Sequence, residues 1–321
     1  MIDTIRPGLF RLEIPLPGNP LKAVNSYVFK TPDRNLIVDT GMNRPECLEA
    51  MMNGLKELDI DLARTDLFIT HLHADHSGLI SHLATETSKV FCSQPDADII
   101  NSKDNWRPML DFASRSGFPH DEEAIRQHPG VKYGVREIID FTIMNDGDII
   151  NIGEYTFRCI STPGHTPGHL CLYEPNKKLL LSGDHILGKI TPNISLFSDD
   201  VNPLNDYLQS LDKTYALEVE QVLPAHRQIF TDCRGRINQL KQHHDRRAAA
   251  IMTVLEKGPQ NAFEIASQLK WDLSYEHWEQ FPISQKWFAT GEVISHLKYL
   301  EALGKVEKDQ SSYEIKYSLK Q

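Results

Sequence analysis

The sequence predicts an α/β protein whose short buried strands carry polar loops at their ends, followed by a small module of helices and a hairpin. Three observations predict it. Between residues 9 and 230, short apolar runs rich in β-branched residues recur between clusters of Gly, Pro, Asn and Asp, as buried strands do. Among them, residues 46–58 place Cys47, Leu48, Met51, Leu55 and Leu58 at helical spacing, the pattern of a helix covering a sheet. From Cys233 onward the strand rhythm gives way to helical periods, which end in two strand signals around a polar turn.

At 321 residues the chain is long enough for one large domain and one small one, expected at 1–232 and 233–321. Hydrophobic content of 40% and charged content of 24% are those of a globular protein. A formal net charge of −10 disfavours a general affinity for polyanions. Five cysteines, an odd number without paired spacing, suggest reduced thiols rather than a disulfide frame. Residues 1–11 show no basic region leading into an apolar stretch, and no run reaches the length of a membrane span. A cytoplasmic location, with no membrane partner, is expected.

Residues 9–14 alternate apolar and polar, as a half-buried strand does, until Pro15, Pro17, Gly18 and Pro20 break the pattern. Residues 25–30 and 35–39 give two more strands around the turn Thr31-Pro32-Asp33-Arg34. Asp39 reads either as a turn former or as a carboxylate orienting a metal-binding histidine. The helix at 46–58 and a strand at Leu67-Phe68-Ile69 follow. Residues 79–83 read as a short helix and 89–92 as a strand. From about 95 to 140 the strand rhythm stops, and Asp121-Glu122-Glu123-Ala124 looks like a helix start. This stretch is either a lid shaping a pocket or a covering helical layer. Strands resume after Phe141, at 155–161, 170–173, 179–182 and 221–223.

Chemistry gathers where those strands end. Ile69 leads into Thr70-His71-Leu72-His73-Ala74-Asp75-His76-Ser77-Gly78. Crowding three imidazoles and a carboxylate at a strand end is costly unless something compensates them. Neutral imidazole and carboxylate suit Zn, Fe or Mn, so the loop reads as a metal site. His71 and His73 cannot share a helix face at this spacing, but extended backbone points them to one side. Asp75 and His76, past the bend, can turn toward a second ion. Three further strand ends carry His165 in Pro163-Gly164-His165-Thr166, Asp184 in Ser182-Gly183-Asp184, and His226 in Pro224-Ala225-His226.

In this order, and with Asp39-Thr40-Gly41 upstream, these sequences resemble the motifs of the metallo-β-lactamase superfamily over about residues 8–230. The resemblance implies a four-layer αββα sandwich with two metals at one edge between its sheets. It also implies that His71, His73 and His165 bind one metal, that Asp75, His76 and His226 bind the other, and that Asp184 bridges them. Asp184 stands where many true β-lactamases carry Cys, which is similar to hydroxyacylglutathione hydrolase-like enzymes. His73 stands where the oxygen-reducing diiron branch carries an acidic residue. Only about forty residues separate Asp184 from His226, too few for the extra domain of the nucleic-acid-processing branch.

The expected function is therefore a binuclear metal-dependent hydrolase of a small-molecule thioester or acyl ester. It would carry two divalent ions, Zn by default, with Fe or Mn tolerated by the same ligands. Two such ions lower the pKa of a shared water toward about 7, giving hydroxide at neutral pH. Asp75 is expected to orient that hydroxide and take its proton. His185 reads either as a donor to the substrate or as a packed histidine. His169 is expected to support the His165 loop, Cys159 and Cys171 to be core thiols, and His243 and His244 to lie at the surface. Thr191-Pro192-Asn193 is placed at the pocket mouth.

Beyond the sandwich, residues 233–257 read as one long helix ended by Gly258-Pro259, and 262–269 as a second. A third is expected from near Thr290 through Leu303, before a hairpin formed by 305–307 and 313–319. Three helices and a hairpin resemble a winged helix. Residues 243–321 hold 10 Lys and Arg against 11 Asp and Glu, so they would neutralise phosphates poorly. The module is expected to act as a pocket wall or homodimer contact rather than to bind nucleic acid. Two other functions fit the motifs: an endoribonuclease cleaving single-stranded RNA, with residues 234–247 holding phosphates, and a metal-binding winged-helix regulator without turnover. The full ligand set counts against the regulator, and the acidic charge against the nuclease.

Overall fold

The computed structural model describes residues 1–102, 106–119, 128–196, 199–272 and 275–320. Strand β1 (Ile2–Arg6), which the sequence did not announce, pairs antiparallel with β2 (Leu9–Pro15), and the meander continues through β3 (Ala23–Phe29) and β4 (Asn35–Val38). Helix α1 (Pro45–Glu57) returns the chain to β5 (Thr65–Phe68), which joins β4 in parallel. Pro45 suits that helix start because the first N–H groups of a helix have no partner anyway. Short helices α2 (Ala74–Ser77) and α3 (Ile80–Leu83) precede β6 (Val90–Cys92). Helices α4 (Gln94–Asn101), α5 (Trp106–Arg115) and α6 (Pro129–Tyr133) then lead to β7 (Phe141–Ile143). Both strands extend the sheet in parallel, giving seven strands in chain order.

The second sheet is the meander β8 (Ile149–Ile152), β9 (Tyr155–Ser161), β10 (Leu170–Glu174) and β11 (Leu179–Gly183). Helix α7 (Pro203–Tyr215) then returns the chain to β12 (Gln221–Pro224), which lies parallel beside β11. Helices α8 (Cys233–Leu255), α9 (Ala262–Gln268) and α10 (Ile283–Ala302) and the hairpin β13 (Val306–Asp309) and β14 (Lys316–Leu319) complete the chain. An Asn261–Glu264 capping box starts α9, worth about 1 kcal/mol.

Residues 1–102, 129–192 and 210–236 form one unit; 103–128, 193–209 and 237–321 form another. In the first, Tyr27, Phe29, Val38 and Phe68 of the seven-stranded sheet meet Phe157, Leu172, Leu181 and Leu223 of the other, each burial worth about 1.5–3 kcal/mol. On the opposite face of the first sheet, Cys47, Met51 and Leu55 of α1 cover Leu12, Val28 and Ile37. Over the second sheet, Ser210 and Lys213 on the C-terminal part of α7 donate to the carbonyls of Pro163 and Ser161. Helix, sheet, sheet and helix are the four layers expected. In the second unit, α9, α10 and the hairpin enclose Ile265, Val293, Leu297, Val306 and Tyr317. The C-terminal end of α5 and the residue after it bond into this unit, Ile315 N donating to Arg115 O and Phe263 N to Ser116 O. Among the described residues, no helix is long and apolar enough to cross a membrane.

Three departures from expectation have physical reasons. Helix α7 falls in a stretch with no predicted element, although Leu204, Tyr207 and Leu211 repeat at helical spacing and Asn202 caps its start. Helix α10 begins at Ile283 rather than near Thr290: it starts directly after Pro282, so Trp287 and Phe288 lie inside it. His244, expected at the surface, is buried: it shares the face of α8 that carries Leu240 and Ile251. The acidic helix start at 121–124 lies outside the described residues.

Candidate metal centre

Strand direction brings the site together. β4 and β5 are parallel, as are β11 and β12, and β9 runs in the direction of β11 because each is antiparallel to β10. The C-terminal ends of strands within each sheet therefore share an edge. The register pairing Gly183 with Pro224 sets Asp184 beside His226. The two sheets are tied at that edge: Asn25 Nδ2 and Tyr27 Oη both donate to the Pro224 carbonyl at 2.9 Å, and Leu170 N donates to Thr70 O at 2.9 Å.

All seven expected ligands meet there. His71, His73 and His165 present donor atoms within 4.8 Å of one another, and so do Asp75, His76 and His226; His71, His76 and Asp184 form a third such group. Asp184 stands between the two triads. Its Oδ2 lies 3.5 Å from His165 Nε2, and its Oδ1 lies 3.4 Å from His226 Nε2 and 3.8 Å from His76 Nε2. Asp75 Oδ2 is 3.4 Å from His226 Nε2. Ligands about 2.0–2.1 Å from a tetrahedral ion sit roughly 3.4 Å apart, so these spacings fit. His76 Nε2, His226 Nε2 and Asp184 Oδ1 are buried with no hydrogen-bond partner, which costs about 1–3 kcal/mol each. Orphaned acceptors converging on one place fit divalent cations.

Three of the imidazoles, His71, His76 and His226, are aimed by what their Nδ1 atoms bind. His76 Nδ1 donates to Asp39 Oδ2 at 2.9 Å and His226 Nδ1 to Ala23 O at 2.7 Å. His71 Nδ1 lies 3.0 Å from Thr70 Oγ1, which in turn donates to Asp39. Asp39 occupies the left-handed region at φ 60°, which Asp tolerates better than most residues. The two readings of Asp39 thus coincide: the turn is what places its carboxylate under Thr70 and His76.

Burial and the surrounding imidazoles hold His71 well below its ordinary value and His73 down to about 3, leaving neutral lone pairs. Burial pushes the Asp75 and Asp184 carboxyls up, but His76 and His226 outweigh it and keep both below the usual carboxylate range. Burial likewise opposes charge on His76, yet Asp39, Asp75 and Asp184 raise it to about 8, and the same kind of neighbours raise His226. This side of the cluster demands positive charge.

His169 supports the centre. Its Nδ1 bonds Thr162 Oγ1 at 2.8 Å and its Nε2 accepts from Asp184 N at 3.1 Å, so both ring nitrogens are used. That ring also explains Gly183: at φ +49° a Cβ there would sit 2.6 Å from His169 Nε2 and 2.9 Å from Thr70 Cβ. Of the two readings of His185, the geometry fits the packed histidine. The chain turns back at Ser182, and His185 is fully buried with Nε2 3.0 Å from Thr214 Oγ1 of α7. Neighbours in sequence, Asp184 and His185 serve opposite sides of the turn. One supporting residue escaped the sequence reading altogether: Asp96, fully buried at the start of α4 and bonded to both histidine loops of the first triad.

The profile of the Metallo-beta-lactamase superfamily matches residues 19–226. A lactamase-like protein of Emericella nidulans is 24% identical over 241 residues, 74% of this chain and 62% of that protein, so the chain spans less than two thirds of its length. An acyl-coenzyme A thioesterase of Homo sapiens is 28% identical over 221 residues, covering 64% of this chain and 74% of the relative. The crystal structure of a metallo-beta-lactamase family protein from Thermus thermophilus superposes with a TM-score of 0.84 at 26% identity, covering 99% of this chain and 100% of that one.

Proposed function

This chain belongs to the metallo-beta-lactamase superfamily, and on that premise we propose that it is a binuclear metal-dependent hydrolase of small-molecule acyl thioesters. The observation that carries the reading is the Asp184 carboxylate, which offers one oxygen to each of two donor triads. His71, His73 and His165 would hold one divalent ion and Asp75, His76 and His226 the other, zinc by the donor set; together such ions supply a water of near-neutral pKa and a Lewis acid for the acyl carbonyl. Asp75, kept ionised by its histidine neighbours, accepts a hydrogen bond from the attacking water and fixes its approach.

A thioester suits this arrangement better than an amide or alkyl ester. A thiolate, whose conjugate acid has a pKa of about 8.5, departs without a proton from a general acid. His185, which the sequence offered as a possible donor, faces α7 instead. The thioesterase activity in the human relative's name supports the same substrate class. Five free, buried cysteines fit a reducing cytoplasm, and the helices and hairpin after residue 233 are read as a winged-helix-like packing module.

The test is to incubate metal-loaded protein with an acyl-coenzyme A panel and with labelled single-stranded RNA. Thiol release is expected, lost on chelation, restored by zinc and absent in Asp75→Ala. RNA cleavage that Asp75→Ala abolishes, with no thioester turnover, would overturn the reading.

A further inference from the structure

We propose that Asp96 is the positioning residue of the three-histidine triad, controlling occupancy of that ion site and not of its neighbour. The proposal rests on the binuclear reading above. Asp96 is fully buried in the first turn of α4, where Ser93 caps the helix and the dipole favours an anion. Its Oδ2 accepts from Leu72 N at 2.9 Å and from Thr166 Oγ1 at 2.7 Å, and its Oδ1 accepts from Gly168 N at 2.7 Å. Leu72 is the residue between His71 and His73, and Thr166 follows His165. One carboxylate therefore grips both loops that furnish the first triad, through the Leu72 N–H between two of the ligands and through the Thr166 hydroxyl and the Gly168 N–H after the third.

The second loop closes tightly on it. A Cβ at Gly168 would lie 2.1 Å from Ser93 Oγ and 2.6 Å from Asp96 Oδ1, so the close approach requires glycine. Asp39 works differently: it reaches His71 through Thr70 and binds His76 directly, spanning both triads. The hydrogen bonds of Asp96 go to Leu72, between His71 and His73, and to Thr166 and Gly168, beside and just after His165. Leu72 shares its loop with Asp75 and His76, but among the described residues Asp96 bonds none next to either of them or to His226. Partners that fix metal-ligand orientation change metal affinity about 10–100-fold when removed.

Both oxygens of Asp96 act as acceptors, so the amide of Asp96→Asn must turn N–H groups toward Leu72 N and Thr166 Oγ1 or toward Gly168 N. Metal-free full-length wild type and Asp96→Asn are titrated with Zn²⁺ by calorimetry and with Co²⁺ by absorption. Wild type is expected to take up two equivalents. Asp96→Asn should keep one at near wild-type affinity and weaken the other about 10–100-fold. Thr166→Val, which removes a single donor, should weaken the same site less, and it decides the matter if Asp96→Asn does not fold. A merely structural role would weaken both sites together; that outcome, or two unchanged sites, overturns the proposal. Fewer than two equivalents in wild type would instead overturn the binuclear reading, and this assignment with it.

Discussion

Both units of this chain bury histidines, and only one of them makes those histidines converge. At the strand edge, Nδ1 atoms are spent on Asp39, Thr70 and Ala23, so Nε2 atoms face inward around Asp184. In the second unit, His244 Nδ1 and His296 Nε2 lie 3.2 Å apart, and His296 Nδ1 donates to the Glu292 carbonyl at 2.8 Å. The Glu292 carboxylate is taken by Arg247 at 3.3 Å and Asn193 at 3.2 Å, with the guanidinium 4.0 Å from the centre of the Trp271 ring. Charge diverges accordingly. Carboxylates raise His76 to about 8, while burial and then His296 push His244 down to about 3, and burial, with Arg247 and His243 adding to it, pushes His296 down to about 4. The three groupings of donors found among the described residues all belong to the strand edge. A count of buried histidines does not identify a metal site; the direction of their free nitrogens does.

The contrast can be broken by mutation. If the proposed binuclear thioesterase reading holds, Asp184→Ala should give the largest effect, removing at least one ion and lowering acyl-thioester turnover by about 10³-fold, the scale of losing a preorganised transition-state contact. Metal analysis and steady-state kinetics check it, and His244→Gln should change neither. In the second unit, Glu292→Ala takes the carboxylate partner from the half-buried Arg247 guanidinium and should cost about 1–3 kcal/mol in urea unfolding, with metal content unchanged. Metal loss in that variant would erase the distinction drawn between the clusters.

Acid sharpens the same contrast. His244 and His296 titrate lower in the folded chain than a free imidazole at 6.5, so unfolding takes up protons in acid. Their contribution is full above about pH 6.5 and is lost as pH falls toward 4 and 3, at up to about 1.4 kcal/mol per pH unit for each group. Stability curves of metal-free wild type and a His244→Gln/His296→Gln variant should therefore converge as pH falls from 7 to 5. Curves that stay parallel would show that the pair is not held neutral. The smallest effect is expected at Ser295, whose buried hydroxyl has no partner: Ser295→Ala should change stability by less than about 0.5 kcal/mol on thermal unfolding.

The clustering of the candidate donors was legible because each follows a strand signal within a few residues, and strands in an α/β sheet deliver their ends to a common edge. Asp39 was half legible, since a turn-forming Asp and an orienting Asp look alike until Thr70 and His76 are placed beside it. Asp96 was not legible: its partners lie 24, 70 and 72 residues away, and its own neighbourhood reads as an ordinary helix start. His185 kept two readings in the sequence, because adjacency to Asp184 says nothing about which side of a tight turn a side chain takes. His244 was misread for the opposite reason. Its residue type suggested the surface, while its position on the apolar face of α8 already implied burial.

By itself the sequence determined the donor chemistry and the local periods that place it, because ligand types and strand or helix repeats are properties of neighbouring residues. Only the tertiary structure decided how the donors point: which nitrogen faces inward, which carboxylate stands between the triads, and which one braces the loops. Those depend on hydrogen bonds between segments far apart in the chain, and short-range pattern carries no record of them.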